Sequence, residues 1–172
     1  NTKIAGMPNT FRSGFWYEDY QREEYRDWHK TIDAASSPRP ENNPYWIQYS
    51  REFPVETLMY YVGDELNVGF AKLRVSAKQF DVEVSKEDQF TPENNLNVSS
   101  DSDVLISAGF VAPLPIRGLE VFGGYAENFA AIKDAVLERD DTDLSVVEPE
   151  TADNIAVGFR YSTPGFNASL TY

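Results

Sequence analysis

Residues Tyr45 to Val62 read YWIQYSREFPVETLMYYV, an alternation too long and too regular for an ordinary strand. At period two, Tyr45, Ile47, Tyr49, Phe53, Val55, Met59 and Tyr61 fall on one side and Gln48, Ser50, Glu52 and Glu56 on the other. A tilted β-strand crosses a bilayer in about 9–11 residues, so this stretch can span one and project beyond it. Tyr45 and Trp46 at one end, and Tyr60 and Tyr61 at the other, supply aromatics where interfacial girdles sit. The expectation is a wall strand of a membrane barrel, its apolar side against lipid and Gln48, Glu52 and Glu56 lining a wet lumen.

Composition narrows the partners. The 172 residues carry a net charge of −13, which excludes a nucleic-acid surface because phosphate binding depends on clustered Lys and Arg. Cysteine is absent, so disulfides and thiolate-bound metals are excluded. Mean hydropathy is −0.48, and no run approaches the roughly 18 apolar residues of a membrane helix. A barrel strand escapes that test because its lumen-facing residues are polar. The chain opens at Asn1 without a signal peptide and stops at Tyr172, and residues 1–172 are read as one incomplete domain from something longer.

Outward from the central stretch, Phe11 to Tyr20 alternates as an aromatic-rich strand, followed by a long loop from Gln21 to Asn43 whose mixed charges and prolines oppose a regular ladder. A turn is expected at Gly63-Asp64-Glu65, then a strand over Leu66–Val84 in which Lys72, Arg74 and Lys78 face Glu52 and Glu56 across the hairpin, all lining the lumen. Near Gln79 the phase flips to Phe80, Val82 and Val84, a sign of a bulge or of exit from the bilayer. Ser85–Asp103 reads as a second long loop. Val104–Val111 and Leu119–Tyr125 form a hairpin about the turn Pro113–Gly118. Glu127–Asp153 is a third long connection, with FAAIKDAVLER as one short helix, and Asn154–Tyr161 and Phe166–Tyr172 flank the turn Ser162–Gly165.

The reading is all-β: a partial antiparallel transmembrane barrel of about seven strands. Its connections alternate long and short, as when tight periplasmic turns oppose large extracellular loops. A soluble β-rich binding domain shows the same alternation and stays open as the alternative.

Among residues able to carry function, Tyr20, Tyr25, Trp28 and Trp46 offer flat faces for a sugar or an aromatic siderophore group, with Arg22 and Arg26 beside them for anions. Packing of the loop against its neighbours explains the same residues equally well. His29 is the sole histidine and builds neither a zinc site nor a catalytic triad. Asp140, Asp141, Asp143 and Glu148 lack the spacing of a calcium loop and read as a solvated acidic stretch. No catalytic residue, metal or cofactor is expected, and an outer-membrane hydrolase is the weaker rival. Pro54 is expected at a bulge, and Gly123, Gly124 and Gly158 where the wall bends or a large neighbour leans over.

VEPETADNIAVGFRY at Val147–Tyr161 resembles the EPE-T/S run, with its following N and G-x-R, of TonB-dependent outer-membrane receptors. VFGGYAENFAAI at Val121–Ile132 is similar to the ASYSENFRAP strand and loop that precede it in those receptors, and SGFWYEDYQREEYRDWH at Ser13–His29 to a GxWYE strand of one subgroup. Ala156 and Val157 stand where the family carries an acidic residue before the glycine equivalent to Gly158. The resemblance implies the outer membrane, a small-molecule ligand such as a siderophore or saccharide, and coupling to TonB through an N-terminal region not recognisable here.

Overall fold

The computed structural model describes residues 2–30, 43–139 and 143–172. Among them lie nine strands: β1 (Thr2–Ile4), β2 (Met7–Trp28), β3 (Trp46–Asn67), β4 (Lys72–Asp88), β5 (Leu96–Ser99), β6 (Leu105–Pro113), β7 (Leu119–Ala130), β8 (Glu150–Thr163) and β9 (Phe166–Thr171). They form one antiparallel sheet in the order β1-β2-β3-β4-β6-β7-β8-β9, with β5 paired to the upper part of β4. Neighbours in sequence are neighbours in the sheet, the meander of a barrel wall. All seven strands expected from the sequence are present. The additions are the short β1 and β5.

The hairpin turn between β3 and β4 differs from expectation. It lies at Val68–Ala71, closed by Val68 N–H donating to the Ala71 carbonyl at 2.9 Å, with Gly69 at φ +87° and its N–H donating to Asn67 Oδ1 at 3.0 Å. Only glycine takes that left-handed conformation without steric cost. Gly63 instead pairs with Ser76 within the ladder. Moving the turn changes the parity of the pairing, and a parity change exchanges the two faces of a strand. Val55 thus opposes Val84, Met59 opposes Phe80 and Glu65 opposes Arg74, whereas Glu56 opposes Glu83 and Glu52 opposes Glu87.

Two faces follow from this register. On one, the lower halves of the strands present Phe15 and Tyr17 of β2, Leu58, Tyr60 and Val62 of β3, and Leu73, Val75 and Ala77 of β4. Ile106 and Ala108, Val121 and Tyr125, Ile155 and Val157, and Leu170 carry the band on through β6 to β9. Phe15, Ile155 and Leu170 are 72%, 76% and 74% exposed, so this band is not the inside of a folded core. It is the lipid-facing surface of a transmembrane barrel wall. The opposite face of the same halves carries Arg12, Glu65, Lys72, Arg74, Ser76, Ser107, Glu120 and Arg160.

Above the band the preference reverses. On β2, β3 and β4 the outer face turns to Asp19, Glu23, Glu52, Glu56, Asp81 and Glu83, while the inner face becomes apolar at Phe53, Val55, Phe80, Val82 and Val84. The β3–β4 register is the same on both sides of Gln79, so the flip there marks exit from the bilayer and not a bulge. Tyr49, Phe53, Val55, Met59 and Tyr61, expected against lipid, lie on the inner face, because the lower half of β3 turns its even-numbered residues outward. The one register shift between β2 and β3 falls at Arg26/Asp27; Pro54 pairs in register with Gln21 and marks no bulge.

A strand of 22 residues is about 75 Å long, far more than a membrane band about 25 Å tall requires. Hence β2 and β3 form an arm beyond the bilayer, and the loop expected from Gln21 begins only after Trp28. Residues 21–28 alternate charge and aromatic side chains on both faces, which a sheet tolerates where its outer face meets water. Residues 31–42 of that loop lie outside the described part. Of FAAIKDAVLER, Phe129 and Ala130 finish β7 and only Asp134–Glu138 turns, as a 3-10 segment.

Phe122 leans over Gly158, where an added Cβ would lie 2.6 Å from the ring, and Phe110 over Gly123 at 2.8 Å. Gly158 and Gly123 thus make room for cross-strand aromatics, whereas a Cβ on Gly124 would meet the Ala108 carbonyl at 3.2 Å. Because Val75 and Ser76 are adjacent but on opposite faces, Val75→Arg is expected to cost about 2–4 kcal/mol of barrel stability and Ser76→Arg less than about 1 kcal/mol. The temperature at which the folded band of the full-length protein disappears on a gel checks this.

Candidate functional site

The inner face is where the chain concentrates its chemistry, and the reason is the register. β2, β3 and β4 hold eight Lys and Arg residues, namely Arg12, Arg22, Arg26, Arg51, Lys72, Arg74, Lys78 and Lys86. Every one belongs to the inner face, since even positions of β2 and β4 pair with odd positions of β3. The outer face of these strands carries carboxylates and no cation. An acidic protein thus turns a cationic lining inward.

At the lower end this lining surrounds a cavity of about 770 Å³ bounded by Asn67, Lys72, Arg74, Phe122, Glu120 and Arg160. Arg74 Nε donates to Glu65 Oε2 at 2.6 Å, Arg160 Nε to Glu120 Oε2 at 3.1 Å, and the Ser76 and Ser107 hydroxyls meet at 2.6 Å. Between this floor and the arm, Lys78 sits over the Phe80 ring at 5.4 Å, and Phe80 stacks on Phe129 at 5.7 Å.

At the upper end the connection between β7 and β8 folds back over the inner face of the arm. Leu137 is fully buried against Phe53, Val82 and Val84, with Val55, Leu96, Val98 and Leu144 around them. Ile132 N–H donates to the buried Ser100 hydroxyl at 2.9 Å. Two arginines bind the turn from the arm. Arg51 donates through Nη1 to the Glu138 carbonyl at 2.8 Å and through Nε to Asp88 at 3.0 Å. Arg22 donates through Nε to Asp134 at 2.6 Å, and its Nη2 lies 2.9 Å from Glu138 Oε1 without the alignment of a hydrogen bond. Its guanidinium also lies over the Phe53 ring at 4.3 Å.

The electrostatics agree with this geometry. Burial raises the Asp88 pKa, but the N–H groups of Phe90 and Thr91 and the Arg51 guanidinium outweigh it and hold the carboxyl below its usual value. For Arg22, burial opposes the charge, yet Asp134 and Glu138 more than compensate and raise its pKa.

The residues expected at a ligand loop are placed differently. Tyr20, Arg22, Tyr25, Arg26 and Trp28 belong to strand β2 and Trp46 to β3, not to a loop. Tyr20, Arg22 and Arg26 share the inner face, and Tyr25 points to the outer one. Trp28 and Trp46 stack on each other at 6.0 Å near the end of the arm. Arg26 and Arg51 lie over the Tyr49 ring at 5.3 and 5.0 Å. Of the expected lumen set, Lys72, Arg74 and Lys78 are on the inner face, but Glu52 and Glu56 are on the outer face above the band. Glu52 accepts there from Gln21 at 2.7 Å and Gln89 at 3.0 Å. Gln48 stands at the register shift and accepts from Trp28 Nε1 at 3.4 Å. His29 Nε2 lies 3.2 Å from Asp27. Asp140 and Asp141 lie outside the described residues, and Asp143 accepts from Ser145 N–H at 3.0 Å as a turn cap.

Sequence reasoning missed Arg12, Arg51, Glu65, Asp88, Asp134 and Glu138. The signal was available for the first three: once the turn is put at Gly69, counting back along β3 and across to β2 fixes their face.

No known family matches the sequence, and no curated protein does. The solved structure of the ferric citrate transporter FecA in its unliganded form is similar, with a TM-score of 0.71 and 16% identity over 95% of this chain and 24% of that one. The likeness is one of fold, and this chain spans about a quarter of the matched chain's length. The fold is thus that of part of a β-barrel wall.

Arg51→Met leaves the Asp88 carboxylate, whose side chain is 2% exposed, without its cation and is expected to cost about 3–5 kcal/mol. Because the folded Asp88 pKa is lowered, its stabilising contribution is complete above the ordinary carboxylate value near about 3.9 and is lost as pH falls through the depressed one. Pepsin cleavage within residues 89–104 should rise over that acid range in the wild type. In Asp88→Asn it should be high throughout.

Proposed function

We propose that this chain forms wall and extracellular lip of an outer-membrane barrel that imports a scarce ligand without changing it chemically, and that the ligand is a ferric siderophore. The observation that carries the reading is the segregation of charge across the wall: all eight cations of β2–β4 turn inward, in a protein of net charge −13. Ferric chelates built from carboxylates or catecholates are anionic and oxygen-rich, and a cationic lining attracts them while the acidic exterior repels them. The likeness to a ferric citrate transporter supports the same cargo class. The resemblance of Val147–Tyr161 to TonB-dependent receptors supports energy coupling through TonB, by a part of the protein outside this chain.

Within this reading Lys72, Arg74 and Lys78 line the route, and Tyr20 and Arg26 meet the ligand at the lip. Arg guanidinium groups suit it because their forked donors match paired carboxylate oxygens. The inner hydroxyls of Ser76 and Ser107 and the carboxylates of Glu65 and Glu120 keep the route hydrated and hold the cations in position.

The test is uptake of radioactive iron by iron-starved cells carrying the full-length protein. Ferric siderophore should accumulate, accumulation should stop when the inner-membrane gradient is collapsed, and Lys72→Gln with Lys78→Gln should slow it at least about tenfold. Iron uptake unchanged by deletion of the gene, with loss of growth on an oligosaccharide, sinks the siderophore reading.

A further inference from the structure

The two arginines that hold the β7–β8 connection are not equivalent. Arg51 engages a main-chain carbonyl and a buried carboxylate of its own arm, and its side chain is 14% exposed. Arg22 engages only side-chain carboxylates of the turn, is 27% exposed, and sits one inner-face position above Tyr20. Its donors are unevenly used. Nε meets Asp134, Nη2 is buried yet poorly aligned to Glu138, and Nη1 comes no closer than 4.0 Å to Glu24. A guanidinium offers five donors in a rigid fork, and the turn fills it badly.

We propose that Arg22 is an exchange site. An anionic ligand bearing carboxylates takes the Arg22 fork in place of the Asp134 and Glu138 side chains, and the start of the turn around Asp134 and Ala135 is released while the buried Leu137 and the Arg51 bond to the Glu138 carbonyl keep its end tethered. The exchange is balanced in charge, since an incoming carboxylate replaces an outgoing one and no bare cation is left beneath the turn. Part of the cost of binding is therefore met in advance: Arg22 is already partly desolvated and held over Phe53. The inference rests on the transport reading and narrows it, because a neutral saccharide has nothing to exchange. It also assigns Asp134 and Glu138 a role as internal competitors, which lower affinity and keep the lip closed when no anion is present.

The test uses the full-length protein with one cysteine at Ala135→Cys, an exposed position in a chain without other cysteines. A nitroxide there reports the mobility of the turn. Citrate, as an iron-free tricarboxylate, should mobilise the label saturably, and a neutral trisaccharide or chloride at matched ionic strength should not. Arg22→Gln should give a label already mobile and indifferent to citrate. Asp134→Asn with Glu138→Gln, which keeps Arg22, should also be mobile and should bind citrate at least about threefold more tightly. Tighter binding is the result that a merely structural ion pair does not give. An immobile label in either variant, citrate binding weakened by the double substitution, or equal mobilisation by chloride overturns the proposal. Citrate-driven release in a protein that takes up no ferric chelate upholds the exchange and removes the siderophore reading instead.

Discussion

A β-sheet that leaves a bilayer must keep its hydrogen bonds while the medium on its outer face changes from hydrocarbon to water. Neither strand nor ladder can break at that boundary, because unpaired N–H and C=O groups are costly on the lipid side. The side chains therefore carry the whole adjustment. In β3 and β4 they do so by exchanging faces: Val62 and Val75 point out below, Phe53, Val82 and Val84 point in above, and one register runs through both. The same switch gives the arm an inner core of its own, into which Leu137 of the β7–β8 connection fits.

That core has a consequence for charge. Once the inner face of the arm is covered, any cation on it is partly desolvated and must find an acceptor. Arg51 finds Asp88 and a main-chain carbonyl, and Arg22 finds the carboxylates of the covering turn. The lower lining is more exposed, and there Arg74 and Arg160 pair with Glu65 and Glu120 across neighbouring strands. Cations kept inside by strand parity form cross-strand pairs below and fasteners above. The difference between the two is only what lies over them.

Much of this was legible in the chain. Alternation at period two, the spacing of Pro and Gly turns, and the run of long and short connections identify the strands and their meander, because a barrel wall imposes that pattern on every strand it contains. The switch near Gln79 is written there as well. The face of each strand was harder. It depends on where a hairpin turns, and Gly63-Asp64-Glu65 and Gly69-Phe70 are both plausible turns by composition; only the second lets Gly69 adopt its left-handed φ while Gly63 stays in the ladder. Reading the first put Glu52 and Glu56 opposite Lys72, Arg74 and Lys78, when the wall separates them.

The sequence by itself determined a meandering antiparallel wall, the alternation of its strands and the change of phase near Gln79, since these rest on local periodicity. Tertiary structure alone decided which side of that wall holds the cations, that Gln21–Trp28 extends the arm, and that Asp134 and Glu138 reach Arg22 from 112 and 116 residues away. Contacts so distant along the chain leave no periodic trace, because they arise from the closing of a loop over a sheet and not from the repeat of a strand.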